Sequence, residues 1–345
     1  MKSKNVSTDN NVFWKTAKDF LSHNLPNIRK VSEHTVNAYR DGINRYINYL
    51  EIEKSIKREN ISFSDFGRDN LKNYLDWMLN TKKHAKKTCN LRITAIHSLL
   101  EYAAYEYSIS LMSVYLEACT VKSVKADNGP IEYFESKQIR ALLAAPVTSN
   151  RIGRRNQMML ILYYDTAARI SELINATFEQ VHLDSEVPYI TIFGKGRKYR
   201  NLPLMYKTVD HLKHYFKEFH PDCERDKPLF YATTYGQKHH LSRDTVENLI
   251  KKYADFCTID GISMPDKPHC HMIRKTRAMD LYKSGVPLAH IQQLLGHENI
   301  STTTGFYAFA TLDTLAKSLN EANKNFSNEG KKWSDKEVLK KLYRL

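Results

Sequence analysis

Apolar residues recur every three to four positions along most of the chain, and in the N-terminal third they do so almost without a break. From residue 11 to residue 117 the pattern reads as nearly continuous helix. Val36, Tyr39, Ile43, Tyr46, Ile47 and Leu50 share one helical face after Ser32, a side chain suited to an N-cap. Leu71, Tyr74, Leu75 and Met78 repeat the spacing after Asp69. Leu91, Ile93, Ile96, Leu99, Leu100 and Ala103 repeat it after the basic stretch Lys82-Lys83-His84-Ala85-Lys86-Lys87-Thr88. No strand-like alternation interrupts these segments, so the pattern predicts a small helical bundle.

Periodicity breaks at 121–131, a polar segment that ends in Gly129-Pro130-Ile131 and is the best domain boundary in the sequence. Helical spacing resumes at about 136–145 and 151–166. Two short alternating runs, Tyr189 to Phe193 and Tyr199 to Leu204, flank Gly194-Lys195-Gly196 and predict a hairpin. Further helices are expected at 206–219, 242–256, 271–284, 287–295 and 301–320. Beyond Ser327-Asn-Glu-Gly330, a short tail helix carries Trp333, Val338, Leu339 and Leu342 on one side. The expected organisation is a helical domain over 1–120, a linker over 121–131, a second domain over 132–325 and a tail over 326–345. The fold class is mainly α with a small antiparallel β-sheet.

Composition narrows the class. The chain has 345 residues, long enough for two cores, and its 42% hydrophobic content excludes a disordered polymer. The longest uninterrupted apolar run, Met158 to Tyr164, is far below the ~20 residues of a membrane span, and the polar N-terminus is not a secretory signal. Five scattered cysteines without a C-x-x-C pair point to a reducing compartment, so a cytoplasmic location is expected. Lys and Arg number 52 against 38 Asp and Glu, a net charge of +14, and the excess is shared evenly between residues 1–125 and 126–345. Two basic halves suit a protein that meets a polyanion from two sides rather than through a tail.

Several chemistries are excluded by spacing. Gly194-Lys195-Gly196 lacks the Gly-x-x-x-x-Gly-Lys-Ser/Thr pattern of a phosphate loop, and no dinucleotide fingerprint is present. Three adjacent residues, His269-Cys270-His271, cannot easily converge on one tetrahedral ion, and no finger-spaced pair completes such a site. Neither a metal nor a cofactor is expected. Cys89, Cys119, Cys223 and Cys257 are ordinary core or surface residues.

Four fragments remain: Ala168-Arg169-Ile170-Ser171-Glu172-Leu173, Gly194-Lys195-Gly196-Arg197-Lys198, His271-Met272-Ile273-Arg274-Lys275-Thr276-Arg277-Ala278, and Leu295-Gly296-His297 followed ten residues later by Tyr307. Taken singly, each has a plain structural explanation. In this order and spacing they closely resemble the tyrosine recombinase, or phage integrase, family. Ser32-Glu-His-Thr-Val-Asn-Ala-Tyr39 and Lys87-Thr-Cys-Asn-Leu-Arg92 resemble its helical core-binding domain, and the resemblance spans about residues 15–320.

The resemblance implies a two-domain, C-shaped DNA clamp. Arg169 and Arg274 would neutralise the charge that develops on a phosphodiester, with a further donor from His297. Three residues apart on a helix, His271 and Arg274 share a face. Tyr307 would be the nucleophile, Lys195 the general acid for the leaving oxygen, and His271 the acceptor of the tyrosine proton, while Glu172 would orient the site. Helices beginning near Ser32 and Lys87 would meet DNA, with Lys86, Lys87, Asn90 and Arg92 on phosphates or base edges. Arg243, after Ser242, would lie at another helix start.

The resemblance further implies double-stranded DNA with inverted-repeat sites as partner, a dimer on each site and a tetramer in the synapse. A mobile-element integrase is the preferred role. A dimer-resolving recombinase, a type IB topoisomerase-like enzyme and an inactive DNA-binding accessory protein are the alternatives. Lys275 stands where many relatives have a second His, and Ala168 where Gly is frequent. A large arm-binding domain is not expected in the N-terminal segment.

Overall fold

The computed structural model describes residues 9–126, 131–194 and 199–296. The expected helix at 301–320, the tail helix, Lys195, His297 and Tyr307 lie outside the described residues. The chain divides into two compact units between Gly129 and Pro130.

The N-terminal unit is helical throughout: α1 (Asn10–Asp19), α2 (Glu33–Glu53), α3 (Arg68–Asp76), α4 (Lys86–Tyr102) and α5 (Met112–Cys119). Ser32 caps α2, its hydroxyl accepting the Thr35 N–H, and the stripe from Val36 to Leu50 is buried apart from Tyr39, which packs at its edge. Three of the helices run on into π-type turns, at 20–28, 77–81 and 103–107. Gly42 sets the closest approach of α2 and α4, because a Cβ there would come within 2.9 Å of the Ala95 Cβ. The centre is aromatic: Tyr46 stacks edge-on against Phe66 and Tyr74, with ring centroids 4.9 Å apart in both pairs.

Two expectations for α4 need comment. Leu91 is 70% exposed rather than part of the apolar stripe. The buried positions include Cys89, Ile93, Ile96, Leu99 and Leu100, and at ~100° per residue Leu91 falls on the far side from Cys89. Asn90, a candidate DNA contact, bonds the backbone of Val124 in both directions at 2.9 Å and so ties the chain leaving α5 to α4. Lys86 and Lys87 are exposed in the first turn, and Arg92 lies half-buried against the Met78 sulfur.

The second unit contains α6 (Ser136–Ala144), α7 (Arg151–Thr166), α8 (Ile170–Ile174), β1 (Val181–His182), β2 (Tyr189–Phe193), β3 (Tyr199–Pro203), α9 (Tyr206–Phe219), β4 (Tyr231–Thr234), β5 (Gln237–His240), α10 (Arg243–Ile259), α11 (Cys270–Lys283) and α12 (Leu288–Leu295). Strands β1, β2 and β3 form an antiparallel sheet in which Phe193 faces Tyr199. The expected hairpin is therefore present, with Lys195 in the segment that joins β2 to β3.

Helix α7 is buried on most of its circumference, which explains the apolar run from Met158 to Tyr164. The second hairpin, β4–β5, escaped the sequence pattern because its strands are polar. Its two loop residues, Tyr235 and Gly236, both have positive φ, as a two-residue hairpin turn requires. Among the described residues no helix is long and apolar enough to cross a membrane.

Gly153, in the first turn of α7, has no room for a side chain: a Cβ would lie 1.8 Å from the Val147 carbonyl oxygen, a backbone atom. Gly153→Ala is expected to cost about 2 kcal/mol or more and to lower the thermal midpoint of this unit by roughly 4–8 °C. An unchanged midpoint in a calorimetric scan would show that the Val147 turn is free to move.

Candidate active site

Helix α7 ends at Ala167, whose left-handed backbone (φ 46°, ψ 28°) turns the chain sharply. A left-handed alanine is strained by about 1 kcal/mol, and here the turn delivers Arg169 to the N-cap of α8. The Glu172 carboxylate accepts the backbone N–H of Arg169 at 2.7 Å and its Nη1 at 2.8 Å. A second guanidinium approaches from β3: Arg200 donates Nη1 to Oε1 at 3.0 Å and Nη2 to Oε2 at 2.6 Å. One carboxylate, its side chain 5% exposed, thus anchors two arginines from separate elements.

Helix α11 supplies the third arginine. Its first backbone N–H, at Cys270, is taken by the Glu247 carboxylate of α10 at 2.8 Å, a tertiary substitute for a local cap. His271 is exposed in the first turn. Arg274, one turn on, is buried to 2% exposure and donates Nη1 to the Ala167 carbonyl at 2.7 Å and Nη2 to the Leu295 carbonyl. Behind the site, the buried Asp165 carboxylate accepts the Met205 N–H at 2.9 Å and Arg277 at 3.3 Å, fixing α7 to the start of α9 and to α11.

The three arginines converge on the end of α12. Arg200 Nε donates to Leu294, Arg274 to Leu295 and Arg169 to Gly296, each to the backbone carbonyl. These carbonyls have no partner within the helix and carry the negative end of its dipole, so cations suit them. Gly296, the left-handed C-cap (φ 60°), immediately precedes His297. Next to Arg169 and Glu172, a cleft of about 610 Å³ is also lined by Gln180, Phe193, Gly194 and Tyr199, and Gly194 is the residue before Lys195.

The site has more positive charge than its carboxylate neutralises. Burial, reinforced by the nearby Arg169 charge, lowers the Arg274 pKa to about 10. Among the described residues no carboxylate lies within ion-pair distance of Arg274, whose two named bonds go to neutral carbonyls. Such a cluster is arranged for an added anion. Among the described residues no group of three or more His, Cys, Asp or Glu is placed to hold a metal ion.

The structure therefore brings Arg169, Glu172 and Arg274 together, with His271 on the same helix as Arg274. Arg243 is exposed at the start of α10, one turn before Glu247. Lys86, Lys87, Asn90 and Arg92 belong to α4 of the other unit. Two contributors escaped sequence reasoning, Arg200 and Glu247. Arg200 had a signal: it occupies the same inward phase of its strand as the buried Leu202, where a charged residue needs a partner. Glu247 had none, since its acceptor role depends on a residue far along the chain.

Burial alone would raise the Glu172 pKa, but the bonds from Arg200 and Arg169 outweigh it and hold the carboxyl below its ordinary value. A depressed folded-state pKa adds stability above the unfolded value of about 4.3, and that stability is lost as pH falls through the folded value. Glu172→Gln is expected to cost about 3 kcal/mol at neutral pH, with the difference from wild type shrinking below about pH 4. Denaturant titrations at several pH values check this, and a pH-independent difference would contradict it.

The phage integrase family model matches residues 132–312, and the model of the phage integrase N-terminal SAM-like domain matches residues 18–107. Tyrosine recombinase XerD of Staphylococcus saprophyticus is 29% identical over 295 residues, covering 84% of this chain and 92% of that protein. Tyrosine recombinase XerC of Chlamydia caviae is 28% identical over 305 residues, covering 83% and 91%. The Tn1549 transposon integrase in complex with transposon right end DNA superposes with a TM-score of 0.64 at 15% identity, covering 89% of this chain and 99% of that one, a shared fold. With the first family model alone spanning more than half of its length, the chain belongs to the phage integrase family.

Proposed function

We propose that the chain is a site-specific recombinase that cuts and rejoins double-stranded DNA through a covalent 3′-phosphotyrosine link, as the integrase or transposase of a mobile genetic element. The observation that supports this best is the pair Arg169 and Arg274, held on adjacent carbonyls with Arg274 buried and lacking a carboxylate partner among the described residues. Two fixed guanidiniums in a low-dielectric site favour a phosphodiester as its negative charge grows in the transition state.

In this reading Tyr307 attacks the phosphorus and the bond to the 5′-oxygen breaks. Lys195 gives that oxygen a proton and His271 receives the proton of the tyrosine. His297 adds a donor to the phosphate. The phosphotyrosine retains the energy of the original diester, so the 5′-hydroxyl of a partner duplex rejoins the strand without a nucleotide. Lys86, Lys87 and Arg92 contact DNA with Asn90 alongside them on α4, and Arg243 contacts it from the start of α10. Inverted-repeat sites would take a dimer each and pair as a tetramer.

The mobile-element role is supported by a relative named as a putative integrase/recombinase, from Sinorhizobium fredii, 28% identical over 299 residues and covering 86% of this chain. A dimer-resolving role is the second reading, supported by XerD and XerC among the relatives. Sequencing the DNA around the coding region for flanking repeats separates the two.

A nicked suicide duplex built from those repeats tests the chemistry. Wild type is expected to yield a denaturant-resistant protein–DNA adduct, Tyr307→Phe none, and Arg274→Gln an adduct formed about 100-fold more slowly or worse. An adduct that persists in Tyr307→Phe, or none with wild type on its own site, overturns the proposal.

A further inference from the structure

The structure assigns to Arg200 a positioning role in DNA cleavage. This rests on the recombinase reading and extends it to a residue outside the four fragments that carried the resemblance. Its side chain is 15% exposed and reaches inward from β3. Both Nη atoms meet the Glu172 carboxylate, and Nε donates to the Leu294 carbonyl at 3.3 Å. Gly296 lies against the guanidinium plane: a Cβ there would come within 3.2 Å of Arg200 Cζ, Nε and Nη1.

One side chain thus joins three pieces of chain that carry separate parts of the proposed chemistry. Strand β3 closes the hairpin that contains Lys195. Glu172 holds both the backbone and the guanidinium of Arg169. Leu294 and Gly296 form the helix end that leads into His297. Because both Nη atoms already face Glu172, Arg200 is placed to orient these groups and not to touch the phosphate.

A lysine cannot reproduce this. Its single ammonium has no planar fork to hold two carboxylate oxygens while reaching a carbonyl in a third direction. Loss of the fork would leave the buried Glu172 held by Arg169 alone among the described residues and free Arg169 to follow it. Displacements of about 1 Å at a reacting centre are enough to slow chemistry up to 100-fold.

The test is single-turnover cleavage of the suicide duplex at saturating DNA, comparing wild type, Arg200→Met and Arg200→Lys, with the adduct amplitude recorded separately from its rate constant. DNA affinity is measured on an intact duplex. Both variants are expected to lose about 10- to 100-fold in rate constant with affinity changed less than about 3-fold. Combining Arg200→Met with Glu172→Gln should give a rate close to that of the slower single variant, since both act on Arg169 through the same contact.

A lowered amplitude with a wild-type rate constant in either variant would mean that Arg200 only supports folding, and overturns the assignment. A loss of affinity as large as the loss of rate would make Arg200 a DNA ligand and overturns it as well. Should Arg200→Met fail to fold, Arg200→Lys still decides, because it keeps the charge and the apolar stem. Absence of an adduct with wild type would instead refute the recombinase reading itself.

Discussion

The organisation of the catalytic unit depends on the Glu172 carboxylate. Almost wholly removed from water, it is a group whose burial is unfavourable unless its charge is matched and its lone pairs are filled. Arg169 and Arg200 meet that requirement jointly, from the start of a helix and from a strand. Neither arrangement is available until both elements have packed. The same constraint that makes the carboxylate hard to bury makes its surroundings specific, since few positions satisfy it. The positions of Arg169 and Arg200 are tied to each other through this one anion.

Charge imbalance gives this arrangement a use. Three guanidiniums share the site with one carboxylate, which pairs with two of them, while the deepest, Arg274, rests on two neutral carbonyls. Carbonyl dipoles at the end of α12 hold the cations in place without neutralising them, so the cluster keeps its attraction for an anion. A second carboxylate beside Arg274 would have made the protein more comfortable and the site less able to take a phosphate. The left-handed Ala167 belongs to the same logic: backbone strain at the end of α7 supplies both the turn to Arg169 and the carbonyl that receives Arg274.

How much of this was legible in the sequence follows from the range of each interaction. The bundle helices could be read because Ser32 and the stripe from Val36 to Leu50 are local signals, and α7 and α9 were legible to their end residues for the same reason. Leu91 was misplaced because apolar identity was counted where helical phase decides. The β4–β5 hairpin was invisible because Thr233, Thr234, Gln237 and Lys238 carry no apolar alternation, and a Tyr-Gly turn is a weaker signal than Asn-Gly. At the site, Arg169, Glu172, His271 and Arg274 stood out through the order and spacing of their fragments. Arg200 was overlooked because a strand arginine looks like surface until its inward phase is compared with Leu202.

The carbonyls of Leu294, Leu295 and Gly296 show why such a site is assembled from distant segments. Each is held by an arginine from a different element, at positions 200, 274 and 169. The helix end that leads into His297 is therefore fixed only when α8, β3 and α11 are all in place. A site made of one contiguous segment could persist in a partly unfolded chain, whereas this one cannot. Distributing the arginines makes the cationic cluster a property of the whole folded unit, so that local opening of any one of these elements dismantles it. The long sequence separation between the contacting residues slows assembly through loop-closure entropy, and in return it makes the cluster conditional on cooperative folding.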